Sequence, residues 1–137
     1  MLPLPYPSSD LKSAPLKTRL TERFAIKHPI LLAPMGVMAG GRLAAAVSQA
    51  GGLGLIGGGY GDEAWLDREF AAAGSARVGC GFITWSLATR PHLLDRVLAR
   101  QPAALMFSFG SPAPFVPIIG RSSRCRMPAR LSTSAQM

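Results

Sequence analysis

The chain has 137 residues, of which 48% are hydrophobic and 16% charged. That is enough for one modest domain with a real core, and it excludes wholesale disorder. The formal charge of +8 is unevenly placed: Arg121, Arg124, Arg126 and Arg130 fall in the last 17 residues, where no acid occurs, leaving +4 on the other 120.

Residues 1–17, "MLPLPYPSSDLKSAPLK", hold four prolines and no apolar run. They read as a flexible Pro-rich arm and not as a secretory signal. From Pro29 to Tyr60 the chain is apolar enough to raise a membrane span. Arg42 interrupts it, and its nine glycines break it into short elements, so no membrane association is expected. "PILLAPM" predicts a buried strand from Ile30 to Met35, stopped by Pro34. "GGRLAAAVSQAGG" then predicts a helix with Leu43, Val47 and Ala50 on one face and Gly51 as its stop. "LGLIG" is the second strand. Asp62 caps "EAWLDREFAAAG", a helix lined by Leu66, Phe70 and Ala73 and ended by Gly74.

"RVGCGFITW" is the third strand. Thr89 is expected to cap the next helix, with Pro91 in its first turn, an apolar stripe of Leu94, Val97 and Leu98, and Pro102 beyond it. "AALMFSFG" is the fourth strand, and "SPAPFVPIIG" begins another loop and helix. Continuously apolar strands alternating with helices imply an α/β fold with a parallel sheet, either doubly wound or part of a (β/α) barrel. Cys80 and Cys125 stand far apart and form no metal or redox spacing, which fits a reducing, cytoplasmic setting. No metal site is expected.

Gly52, Gly54 and Gly57 spell G-x-G-x-x-G, the fingerprint of a dinucleotide-binding loop. In such a loop the glycines follow a strand and open a helix. Here a helix precedes them and the strand lies inside the motif, so that reading fails. Gly51 and Gly52 read as a helix stop and turn, and Gly54 as a close helix–sheet approach. Gly57 to Gly59 read as an open strand mouth, where packing and ligand contact are equally good explanations.

"HPILLAPM", "LAAAVSQAGGLGLIGGGY", "VGCGFITW" and "LMFSFGSPAPF", in that order, resemble the nitronate monooxygenase (2-nitropropane dioxygenase) family of FMN-dependent TIM barrels. The resemblance covers roughly residues 18–119. Other flavin barrels share pieces of it, notably the enoyl-acyl-carrier-protein reductase of the same type and inosine monophosphate dehydrogenase. It implies that Ala33, Pro34 and Met35 lie against FMN at the C-terminal end of the first strand, the face where barrels build their sites. It also implies cofactor contacts at Gly81, where family members commonly carry Asn, and at Ser108, where they often carry His. The implied chemistry is O2-dependent oxidative denitration of an alkyl nitronate.

A full barrel needs eight strands and about 250 residues, so the expectation is the N-terminal half of one, residues 18–120, with about four βα units. The family's downstream catalytic histidine and FMN phosphate loops have no counterpart. His28 precedes the first strand, and His92 reads as a surface or capping residue, so no catalytic residue is assigned and the chain is expected to be inactive. Open first and fourth strands lead us to expect self-association through sheet edges. Residues 121–137, Arg/Ser-rich and without period, read as an out-of-frame translation. A genuine basic tail would instead make this a small polyanion-binding protein, salt-dependent and without specific nucleic-acid recognition, because the tail lacks interleaved aromatics.

Overall fold

The computed structural model describes residues 15–122. Residues 1–14 of the Pro-rich arm and 123–137 of the basic tail, including Cys125, lie outside the described residues. In chain order come α1 (Arg19–Phe24), α2 (Gly41–Gln49), β1 (Gly54–Gly57), α3 (Glu63–Ala73), β2 (Val78–Ile83), α4 (Thr84–Thr89), α5 (His92–Ala99), β3 (Leu105–Ser108) and α6 (Val116–Arg121), the last entered through a 3-10 turn at Ala113–Phe115. The three strands form one parallel sheet in the order β1-β2-β3. Gly57 pairs with Gly81 and Ile83 with Ser108, which brings the C-terminal ends of the strands to one side.

Local chemistry explains α3 residue by residue. The Asp62 carboxylate accepts from the Trp65 backbone N–H at 2.9 Å. This satisfies an otherwise orphaned donor beside the positive end of the helix dipole. Leu66, Phe70 and Ala73 are buried along one face, and Gly74 ends the helix at φ 59°, a conformation glycine adopts without steric cost. Ile56, Cys80, Phe82, Leu87, Leu93, Leu94 and Val97 complete the core that α3 and α5 form with one sheet face. Among the described residues, no helix is long and apolar enough to cross a membrane, and no cluster of metal ligands occurs.

Three expectations need correction. The segment Ile30–Met35 is not a strand; it touches the sheet through a single parallel bridge, Leu31 to Leu53. Leu32 N–H donates across that bridge to Leu53 O, but Ile30 N–H donates to His28 O and Met35 N–H to Ala33 O, while Pro34 has none to give. Ile30 and Leu31 are consequently 58% and 43% exposed. In α2 the buried face is Gly41, Ala44 and Ala45, whereas Leu43 and Ala50 are exposed and Val47 half-buried. Helix α3 packs too close for larger residues, since a Cβ on Gly41 would stand 1.8 Å from Glu69 O. Finally, Thr89 closes α4, donating to Ser86 O at 2.7 Å, and Pro91 is the residue that precedes α5. The third strand therefore ends at Ile83 and does not run on to Trp85.

Helices α3 and α5 are joined at the surface by ion pairs. The Asp67 carboxylate accepts from Arg96 and, at 3.3 Å, from Arg100, while Arg96 also reaches Glu63 at 2.7 Å. Hydrogen bonds from Arg96 hold the Asp67 carboxyl below the usual carboxylate range. A lowered folded-state pKa stabilises the fold above the ordinary Asp range and is lost as pH falls through it. The urea midpoint of wild type should therefore exceed that of Asp67→Asn near neutral pH. The gap should narrow as pH falls through the lowered Asp67 pKa. A gap that does not change with pH would show that the pair contributes nothing to stability.

Candidate functional site

The C-terminal ends of the strands surround a cavity of about 540 Å³, within the range of small-molecule sites. Its floor is backbone: Gly57, Gly58 and Gly59 after β1, Gly81 in β2 and Ser108 at the end of β3. Pro34, Met35 and Val37 form one wall, Trp65 and Phe82 add apolar surface, and Asp62 and Arg90 are the charged side chains.

The glycines are required by close packing. A Cβ at Gly54 would lie 1.9 Å from Ala44 O, at Gly57 2.3 Å from Met35 O, at Gly58 2.6 Å from Gly81 O, and at Gly81 2.2 Å from Pro34 Cγ. The segment 34–36 therefore rests directly on the strand ends, and packing alone accounts for these glycines. The remaining cavity floor is bare main chain, open to a ligand.

Side chains fix the rim. Trp65 Nε1–H donates to Gly57 O at 2.9 Å, and Ser86 Oγ–H to Tyr60 O at 2.8 Å. Arg90 NH1 donates to Tyr60 O at 3.2 Å and to Gly61 O at 2.7 Å. Ser108 Oγ–H donates to Phe82 O at 3.3 Å, and Thr84 Oγ1–H to Ser108 O at 2.7 Å. The Tyr60 and Trp85 rings meet at a tilt of 54°, 5.8 Å between centroids. Two lining residues carry strained backbones, Val37 at φ 57° and Phe109 at φ 58°. Non-glycine residues in this region cost of order 1–3 kcal/mol each and gather at functional sites.

Of the residues singled out in the sequence, Pro34, Met35, Gly81 and Ser108 all line this one cavity, and Ala33 does not. Neither histidine lines it: His28 donates its N–H to Gly51 O before β1, and His92, exposed on α5, stands 3.8 Å from Glu63. Sequence reasoning missed Arg90, Trp65, Val37 and Phe109. The one signal for Arg90 was its position between a strand's C-terminal end and the next long helix, where barrel-type loops carry function.

The family model for nitronate monooxygenases matches residues 17–76. A curated protein of Mycobacterium tuberculosis, (3aS,4S,5R,7aS)-5-hydroxy-7a-methyl-1-oxo-octahydro-1H-indene-4-carboxyl-CoA dehydrogenase, is 49% identical over 41 residues, which make up 30% of this chain and 12% of that protein. FabK from Thermotoga maritima superposes with a TM-score of 0.67 at 27% identity, covering 78% of this chain and 35% of FabK. A point mutant of the same FabK gives the same score and covers 37% of that chain. The chain thus spans about a third of the length of the FabK structures it matches.

Proposed function

We propose that this chain, whose residues 17–76 match the nitronate monooxygenase family model, supplies one flank of an FMN site in a (β/α) barrel oxidoreductase that acts on alkyl nitronates. The carrying observation is the convergence of Pro34, Met35, Gly81 and Ser108 on one cavity at the C-terminal ends of parallel strands, the end where barrel enzymes build their sites. The sheet adds support. Its helix-side face is packed, while Gly79, Gly81 and Met106 fall on the opposite face by strand alternation, and Met106 is 47% exposed. On that face Leu55 is buried and Pro34 packs on Gly81, so the open part is the β3 end at Met106. Parallel sheets are ordinarily covered on both faces, and the open end fits a segment of barrel wall.

The residues present fit a flat aromatic cofactor. Pro34, Met35 and Phe82 offer apolar wall and Gly81 offers bare main chain, while the Ser108 oxygen keeps lone pairs free to accept. Bound there, FMN would supply the electron-accepting ring. The protein's share is to orient the ring, exclude water on the Pro34 side and hold an anionic substrate near it. A neutral nitroalkane would need a base to remove its α-proton. The lining includes no histidine, and Asp62 is occupied as the cap of α3. The substrate on this reading is therefore the preformed nitronate, and the chain by itself sustains little or no turnover.

Titration with FMN followed by flavin fluorescence should show weak, saturable quenching. Steady-state oxidation of propane-2-nitronate with added FMN should stay at the level of free flavin. Absence of quenching would sink the flavin assignment, and turnover well above free flavin would sink the inactivity. The likeness to FabK favours a second reading, a flavin barrel of the enoyl-acyl-carrier-protein reductase type. Bleaching of the bound flavin by NADH or NADPH would select it.

A further inference from the structure

We propose that Arg90 selects a small planar oxyanion, a carboxylate or a nitronate, for this cavity. The inference rests on the preceding reading only for which oxyanion is the natural one. Arg90 and Asp62 are the charged side chains in the lining, and Asp62 is held at the α3 N-terminus by Trp65 N–H. Arg68, Arg96 and Arg100 all pair with carboxylates, whereas Arg90 makes no ion pair among the described residues.

The guanidinium is also half used. NH1 donates both its hydrogens, to Tyr60 O and Gly61 O. Nε and NH2 carry three further N–H donors with no acceptor among the described residues. A guanidinium edge of this kind matches the two oxygens of a carboxylate or nitronate, which are coplanar and spaced to accept two parallel hydrogen bonds. The two carbonyl contacts fix the plane of the fork in advance, so little side-chain entropy remains to be lost on binding. Arg90 is itself exposed, so its attraction for an anion is screened by salt. The backbone amides of Gly59 and Tyr60 also donate to nothing else among the described residues and lie in the same loop that Arg90 grips.

The test is a calorimetric titration of the full chain with isobutyrate and its neutral isostere isobutyramide, at low and high salt. Wild type should bind isobutyrate at least tenfold more tightly than isobutyramide, with the preference shrinking as salt rises. Arg90→Met should abolish the preference, and Arg90→Lys, which keeps the charge but loses the fork, should retain part of it. Ser86→Ala removes the other tether on Tyr60 O and should leave isobutyrate binding within about twofold. Undiminished preference in Arg90→Met, or a loss in Ser86→Ala equal to that in Arg90→Met, overturns the proposal; so does wild type that does not discriminate. If Arg90→Met fails to fold by circular dichroism, the wild-type comparison and Arg90→Lys still decide the matter. FMN titration of the same proteins separates the two ideas. Arg90-dependent anion binding without FMN binding sinks the flavin reading alone, and FMN binding without anion preference sinks this one alone.

Discussion

Replacing Gly54 by alanine should destabilise the fold by at least ~3 kcal/mol, more than the usual range for overpacking. The added Cβ would stand 1.9 Å from Ala44 O, 2.4 Å from Ala44 C and 2.5 Å from Ala44 Cα. All three are backbone atoms in the buried face of α2, so no side chain can rotate away, and relief requires lifting the helix off the sheet. Against a total stability of roughly 5–15 kcal/mol for a domain, that leaves a protein on the verge of unfolding. Gly120→Ala is the control. Nothing lies within 4 Å of its Cβ position and it sits inside α6, where alanine gains about 0.5–1 kcal/mol over glycine. Urea unfolding of both variants checks the pair. A Gly54→Ala midpoint at or above wild type would mean that the helix and sheet are not in the contact described.

The second large effect concerns Gly81. A Cβ there would meet Pro34 Cγ at 2.2 Å and Pro34 Cβ at 2.4 Å, so the strand admits no side chain at this position. Gly81→Asn should therefore lower stability by about 2–4 kcal/mol, as overpacking plus a displaced wall. Pro34→Gly removes both clashing atoms. In a double-mutant cycle the two changes should couple by about 1–3 kcal/mol, the double variant being more stable than the sum of singles implies. Additive behaviour would show that the Pro34 wall is not seated on β2.

How much of this was legible in the sequence divides along physical lines. Helix α3 was read in full because its cap, its burial stripe and its stop are all local: Asp62, then Leu66, Phe70 and Ala73, then Gly74. The dinucleotide loop was correctly rejected, because element order alone decides it: α2 precedes β1, and β1 lies inside the glycine motif. The α2 face was misread because hydrophobicity ranks Leu43 above Ala44, whereas the space between α2 and β1 admits only small residues. Ile30–Met35 was misread because an apolar run carries no record of where its N–H groups donate. In the site, the gathering of Pro34, Met35, Gly81 and Ser108 followed from family motifs placed at strand ends. Ala33, in the same motif, stays outside the cavity, whose wall begins at Pro34. Arg90 left only the signal of its position after a strand end, because its contacts to Tyr60 O and Gly61 O join the loop after β1 to the end of α4, a long-range contact with no periodic trace.

The loose seating of residues 30–35 has a consequence for how the molecule breathes. Two hydrogen bonds hold that segment to the sheet, from Leu32 N–H to Leu53 O at 2.9 Å and from Leu53 N–H to Ile30 O at 3.0 Å. The β1–β2 and β2–β3 ladders, by contrast, each span four paired positions. Local opening follows the weakest cooperative unit, so the Leu32 and Leu53 amides should exchange with deuterium well before that of Cys80, which is fully buried in the central strand. The wall formed by Pro34 and Met35 can thus swing away while the rest of the domain stays folded, and a ligand resting against it would slow that exchange without touching either amide.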